Sequence, residues 1–352
     1  MSQKILIRTP NHLGDCVMAL PMINETREAY PDSTVTVLTP DHLRELFSGN
    51  PSIDHVLTIP TEYVHGLLSV FKIKDLITPD DYRIGYIMPP SFGAASAFKL
   101  AGITERIGYI ADGRRLLLTR PLPLPVPLNS EHRSKVYFDL LRRGSGYSID
   151  YVKPKLFLSE DDYKTGQGLL DGYNIGEDDR YAVIAFRAVA ESRRWGEDKY
   201  AELAKRLIDD FDMRVVLIGS ASDSKVGDEL TATIDREDEM VANLAGKTSL
   251  RELASICSRA QLFVGNDSGP AHLAAAVGAP IIVLSGADDP KETSPLASQK
   301  RLICHDSLEC ISCVKNKCQL KGDDFMRCMN EISVDEVIAQ VNDLLPKTSG
   351  LK

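Results

Sequence analysis

The chain has 352 residues, 43% hydrophobic and 26% charged. That suits a soluble globular protein, and its length suits two domains at about 150 residues each. A formal net charge of −9 argues against a general nucleic-acid binder, because phosphate backbones are met by basic surfaces.

The chain then reads as alternating strands and helices. KILIRT (4–9) reads as a buried parallel strand, followed by the turn NHLGD and the helix CVMALPMINETREAY. VTVLTP (35–40) is strand-like, DHLRELFSG helical, and HVLTIP and RIGYIMPP strand-like again. Alternating prolines in PLPLPVPLN (121–129) predict an extended loop. A helix, HRSKVYFDLLRRG, follows, then KPKLFLS and the polar stretch EDDYKTGQGLLDGYNIGEDDR. A second alternation begins at YAVIAF (181–186). It continues through KYAELAKRLIDDF, RVVLIGS, DSKVGDELTATI, LRELASICSRA, QLFVGN, PAHLAAAVG and PIIVLSG to a last helix, VDEVIAQVNDLLP. The two blocks predict two doubly wound parallel-sheet domains, 1–170 and 171–352, facing a central cleft. No apolar run approaches a membrane span and the N-terminus lacks a signal-peptide pattern. A cytoplasmic location is expected, with peripheral membrane contact still compatible.

Three segments carry the chemistry. In GNDSGPAHLAAAVG (265–278), Asp267 and Ser268 suit a helix N-cap, Gly269 allows close approach and Pro270 suits the first turn. Free N–H groups at that helix start would receive a phosphate, with His272 in the same turn. In TPNHLGDCVMALP (9–21), Asp15 lies near the first helix start, where it serves either as general base or only as a cap. The loop after YAVIAF holds Arg187, Arg193 and Arg194, able to neutralise a pyrophosphate, or else to form a solvated basic loop. Gly219, Ser220 and Asp223 form a weaker candidate, because an acid beyond a sheet edge binds ribose hydroxyls as readily as it caps a helix.

Other features carry less. Trp195 is expected to pack. Gly144 and Gly146 do not form a dinucleotide fingerprint. Asp210-Phe211-Asp212 has a DxD spacing but falls at the wrong end of a strand, so no metal ligand is assigned there. Arg114-Arg115 and Arg142-Arg143 read as surface pairs. Cys16 and Cys257 stand alone, while Cys304, Cys310, Cys313, Cys318 and Cys328 cluster. The C-x2-C-x4-C-x9-C spacing is compatible with structural zinc but matches no standard finger, and packed or redox-sensitive thiols account for it as well.

Four blocks together resemble glycosyltransferase family 9, the ADP-heptose:lipopolysaccharide heptosyltransferases. They are NHLGDCVMALP, SFGAASAFKLAGITERIGY (91–109), RRW with KYAELAKRL, and GNDSGPAHLAAAVGAP. The late ECISCVKNKC and RCM are similar to segments of the family too. The resemblance implies a GT-B fold and inverting transfer of heptose from ADP-L-glycero-β-D-manno-heptose to the Kdo- or heptose-bearing inner core on lipid A, leaning to the second heptosyltransferase. It implies Asp15 as base, and Arg193, Arg194, Gly219, Ser220, Asp223, Asp267, Ser268, Gly269 and His272 around the donor. Asn11, His12, Ser91, Lys99 and Arg106 would serve the acceptor. Arg193 stands where the family usually has lysine, and Phe186-Arg187-Ala188 replaces a PGA-like turn. No cofactor is required, although magnesium is compatible with the diphosphate. A sugar-nucleotide epimerase and a non-catalytic nucleotide-sugar-binding module are the competing expectations.

Overall fold

The computed structural model describes residues 3–64, 66, 68–125 and 131–345. They form two compact units, 1–157 and 158–352. The first runs β1 (Lys4–Arg8), α1 (Leu13–Asn24), α2 (Thr26–Ala29), β2 (Thr34–Pro40), α3 (Arg44–Phe47), β3 (His55–Ile59), α4 (Leu68–Ile77), β4 (Ile84–Ile87), α5 (Phe92–Leu100), β5 (Glu105–Tyr109), β6 (Arg120–Leu122) and α6 (Arg133–Ser145). The second runs α7 (Glu160–Asp171), β7 (Tyr181–Ala185), α8 (Glu197–Phe211), β8 (Arg214–Ile218), α9 (Ser224–Ile234), β9 (Val241–Asn243), α10 (Leu250–Arg259), β10 (Leu262–Asn266), α11 (Gly269–Ala276), β11 (Ile281–Leu284), α12 (Pro290–Thr293), β12 (Lys300–Ile303), α13 (Arg327–Asn330) and α14 (Val334–Leu344).

The same topology occurs twice. One sheet has the order β3-β2-β1-β4-β5-β6 and the other β12-β11-β10-β7-β8-β9. Every pairing is parallel. Numbered within its own unit, the second sheet repeats the first. In both, chain direction across the sheet reverses between two central strands, β1 and β4 or β7 and β10. Ligands of such folds bind at the strand carboxyl ends beside that reversal. The central strands are apolar on both faces because helices cover both; Ile5, Leu6 and Ile7 are wholly buried, as are Val183, Ile184, Phe263 and Val264. On one face of the first sheet, α4 and α5 pack Ile73, Ile77, Ala94 and Phe98 against Leu6, Leu38 and Ile87. Gly144 of α6 lies against Tyr86 on the opposite face.

The structure moves several boundaries. The break falls between Phe157 and Leu158, not at residue 170. The stretch 160–171 is polar in composition yet forms α7, which docks on α10. Ser159 and Asp162 make a reciprocal capping box. Gly166 permits the close approach: a Cβ there would lie 2.5 Å from Ser255 Oγ. Asp162 also ion-pairs with Arg251 of α10 at 2.5 Å. The proline stretch is not a loop throughout. Arg120–Leu122 forms edge strand β6, with Pro121 opposite Gly108, as an edge tolerates proline. Residues 126–129 lie outside the described residues. Elements α5, β5, β9 and β12 emerge where no strand or helix was assigned from sequence. Gly146 ends α6 at φ 78°. Among the described residues, no helix is long and apolar enough to cross a membrane.

The Arg251 hydrogen bond, opposed by partial burial and aided by the Ser159 bonds, holds the Asp162 carboxyl well below the ordinary carboxylate range. Its stabilising contribution is therefore complete above the unfolded pKa of about 4 and is lost as pH falls further. Asp162→Asn is expected to lower unfolding stability by about 2 kcal/mol at neutral pH in urea titrations. The gap to wild type should narrow as the buffer is acidified below pH ~4.

Candidate functional site

In the first unit, β1 delivers Arg8 to the sheet edge. Arg8 is 2% exposed, and burial lowers its pKa to about 10. Its guanidinium donates to the Thr9 carbonyl and to Asn11 Oδ1, both at 2.5 Å. Asn11 is thus tied to the protein itself. His12 is the N-cap residue of α1, without a side-chain capping bond. Helix α1 begins earlier than the sequence reading, so Gly14 and Asp15 sit within its first turn, not in a turn before it. Asp15 is therefore no N-cap. Its Oδ1 accepts from Arg133 Nη1 at 3.2 Å and from Tyr137 Oη at 3.4 Å. Burial first, and the Asp15 charge second, raise the Tyr137 pKa far above its ordinary value. It remains a phenol and donates. Arg133 and Tyr137 lie four residues apart on one face of α6, which packs against α1. Sequence reading missed them, although the i, i+4 spacing was visible in HRSKVY.

The other acceptor candidates do not join this cluster. Ser91 caps α5, its hydroxyl accepting from Ala94 N–H at 3.3 Å. Lys99 is exposed near the end of α5. Arg106 is spent on the protein, donating to the Leu117 carbonyl at 2.7 Å and to the Ile103 carbonyl. The buried Arg114 likewise donates to the Tyr109 and Pro89 carbonyls, so it is no surface pair with Arg115.

In the second unit, the strands flanking the reversal bring two loops to one edge. After β10, Asn266, Asp267 and Ser268 lead into α11. Ser268 is the N-cap residue, yet its side chain makes no capping bond. The Asn266 amide interacts with the buried Tyr200 hydroxyl of α8, while Ser268 Oγ and Asp267 Oδ2 are buried without a protein hydrogen-bond partner. So is Ser285 Oγ, beyond β11. Each such group costs about 1–3 kcal/mol if left unmet. A helix cap alone would not leave them so. Their shared position at a helix amino end fits an anionic, hydroxyl-bearing ligand. His272 is buried, with Nε2 3.6 Å from Asp267 Oδ1. Gly278 follows the helix at φ 89°.

After β7, Arg193 reaches Asp288 with Nη2–Oδ1 at 2.6 Å, while its buried Nε has no partner. Arg194 donates from Nε to the Ala188 carbonyl at 3.0 Å. Arg187 pairs with Glu197 and lies 3.7 Å from Asp223. Asp223 in turn accepts from Ser220 N–H at 2.9 Å and Ser220 Oγ at 2.5 Å. Ser220 and Asp223 therefore form a capping box through Asp223 Oδ2. Gly219 lies tight against this box: a Cβ there would be 3.0 Å from Asp223 Cβ. Trp195 packs as expected, buried edge-on to Tyr200 and donating to the Ile332 carbonyl at 2.9 Å.

The cysteine-rich segment supports the Arg193 loop. Ser192 N–H donates to the Asn316 carbonyl at 3.2 Å, and its hydroxyl to the Lys315 carbonyl. Val314 N–H donates to Ala287 at 2.7 Å, beside Asp288. Burial, followed by the charges of Cys310, Cys313 and Cys318, raises the Cys328 thiol to about 11. Cys318 Sγ accepts from Met326 N–H at 3.3 Å. Among the described residues, no three of His, Cys, Asp or Glu are grouped as metal ligands. Asp210 pairs with Arg206 at 2.6 Å, and Asp212 ends α8.

Residues 70–323 match the model of glycosyltransferase family 9 (heptosyltransferase). The chain is 31% identical over 314 residues to lipopolysaccharide heptosyltransferase 2 of Escherichia coli K12, covering 85% of this chain and 87% of that protein. It is 27% identical over 352 residues to lipooligosaccharide heptosyltransferase 2 of Haemophilus influenzae, covering 97% and 99%. Among solved structures, the E. coli ADP-heptose lps heptosyltransferase II has a TM-score of 0.79 at 26% identity, covering 97% and 98%. A family 9 glycosyltransferase from Veillonella parvula reaches 0.84 at 18% identity over 98% of each chain, a likeness of fold alone. A GT-B arrangement of two all-parallel sheets, and a family match across more than two thirds of the sequence, make one conclusion. The chain belongs to glycosyltransferase family 9, the heptosyltransferases.

Proposed function

We propose that this protein moves a heptose from ADP-L-glycero-β-D-manno-heptose to the lipopolysaccharide inner core, inverting the anomeric centre, as the second heptosyltransferase of the core. The pair of buried polar atoms without protein partners, Asp267 Oδ2 and Ser268 Oγ, carries the reading. Those atoms await a ligand, and the start of α11 suits its phosphates. The similarity to proteins titled heptosyltransferase 2 supports the choice of sugar and acceptor. We place the work in the cytoplasm, where ADP-sugars are made. The first unit takes the acceptor and the second the donor.

In this scheme the Asp15 carboxylate removes the proton of the acceptor hydroxyl. The oxygen forms its bond to the anomeric carbon while the carbon–oxygen bond to the diphosphate breaks. The bonding pair leaves with ADP. Arg193 and the α11 N–H groups meet the charge that gathers on the diphosphate. Arg133 and Tyr137 fix the direction of the Asp15 carboxylate, and Asp288 fixes that of Arg193. The scheme calls for no cofactor.

The test mixes the protein with ADP-heptose and a truncated inner-core acceptor, following ADP release and acceptor mass. An acceptor-dependent gain of one heptose is expected. A changed donor sugar without acceptor would mean an epimerase, and donor binding without chemistry a binding module. Asp15→Asn is expected to keep donor affinity in calorimetry but to lower kcat by about 10²–10⁴. Ser268→Ala separates a ligand from a cap. It should cost under about 0.5 kcal/mol of stability while weakening donor binding, whereas Ser249→Ala, which removes the α10 capping box, should cost about 1 kcal/mol. EDTA should leave turnover unchanged, and a loss restored by magnesium would assign a cation to the diphosphate.

A further inference from the structure

Arg187 has no part in the transfer scheme, yet it stands at the working edge of the second sheet. It follows β7, one of the two strands beside the reversal. It also occupies the glycine position of the PGA-like turn that Phe186-Arg187-Ala188 replaces. Its guanidinium lies between two carboxylates. Nη1 donates to Glu197 Oε1, in the first turn of α8. Nε lies 3.7 Å from Asp223 Oδ1, beyond β8, too far for a hydrogen bond. That Nε is buried and has no hydrogen-bond partner in the protein.

Asp223 is held from several sides. Its Oδ2 accepts from Ser220 N–H and Oγ. Gly219 lets the carboxylate lie close, since a Cβ there would meet Asp223 Oδ2 at 3.2 Å. The loop after β9 backs the same turn. A Cβ at Gly246 would lie 2.5 Å from Ala221 Cα, and Gly246 N–H donates to the Gly219 carbonyl at 2.9 Å. Helix capping uses Oδ2 alone, while Oδ1 faces the Arg187 cation. The Arg187 and Asp223 side chains are 22% and 19% exposed, so a ligand can reach them.

Position gives the ligand chemistry. The amino end of α11 follows β10, and β8 lies two strands away in the order β10-β7-β8. Neighbouring strands are about 4.8 Å apart, so about 10 Å separates the two turns. A diphosphate anchored at α11 spans much of that distance, and the ribose joined to it comes to the β8 turn. A carboxylate oxygen there accepts from ribose hydroxyls. Beside two phosphates, however, an unaccompanied carboxylate repels the ligand that it should hold. A guanidinium behind it offsets that repulsion and fixes the direction of Oδ1.

We infer that Arg187 is a positioning residue, which aims Asp223 Oδ1 at the ribose hydroxyls of a nucleoside diphosphate and offsets its charge beside the phosphates. The inference rests on the nucleotide-sugar reading of this unit. The full chain is titrated in a calorimeter with ADP and with 2′,3′-dideoxy-ADP. Wild type should bind ADP about tenfold or more tightly than the dideoxy compound, as a hydrogen bond to a charged group is lost. Arg187→Gln keeps the length of the side chain and removes its charge. It should bring that ratio to about threefold or less, as should Asp223→Asn. Arg187→Lys should restore most of the ratio. Adding Arg187→Gln to Asp223→Asn should change the ratio no further, because the arginine acts through the aspartate. Melting temperatures, read alongside, separate this effect from loss of fold: a purely structural arginine would change the melt and leave the ratio as in wild type. A ratio unchanged in Arg187→Gln, or equal weakening of both ligands, would overturn the inference and leave the donor reading standing. Wild type that binds neither nucleotide would remove both.

Discussion

Everything in this molecule follows from strands that all point one way. An all-parallel sheet gathers the carboxyl end of each strand and the amino end of the next helix at a single edge. The backbone there presents N–H groups that no helical turn has used. In each unit the order reverses between two central strands, and the two loops leaving those strands diverge to opposite faces. Asp15 follows one such strand in the first unit. Arg193 and Asp267 follow both in the second. The fold supplies location, and the side chains supply chemistry.

Polar satisfaction divides the loop residues by purpose. Arg106 donates to two carbonyls, Arg194 Nε to a third, and Ser220 bonds Asp223 Oδ2. They hold loops in shape. Asp267 Oδ2 and Ser268 Oγ do not, although they are at least as well placed to do so. Evolution tolerates a few kcal/mol of unmet burial only where something else meets it. That contrast sets Asp267 and Ser268 apart from the residues that hold loops in shape.

Much of this was legible in the sequence. Buried parallel strands are runs of branched apolar residues, and YAVIAF, RVVLIG and QLFVGN read so directly. The GNDSGPAH turn was legible because strand, cap residues, glycine and proline fall in one short order. Other parts were hidden for physical reasons. Helix α7 looked like a linker because its apolar residues are few, and its attachment depends on the Asp162–Arg251 pair, formed across 89 positions. Strand β6 was hidden by Pro121, which only an edge position permits. Arg133 and Tyr137 needed the packing of α6 on α1 to acquire meaning. Arg106 was assigned to a ligand because a sequence shows charge but not the carbonyls that take up its donors.

The loop that carries Arg193 has a further consequence. Ser192 leans on residues 315 and 316, Trp195 on the Ile332 carbonyl, and Lys199 on the carbonyls of Asn330 and Ile332. Chain made early is thus held in place by chain made more than 120 positions later. As the polypeptide leaves the ribosome, the first unit has all its strands long before this loop has any of its supports. The Arg193 loop can therefore take its supported shape only once residues up to Ile332 have been made.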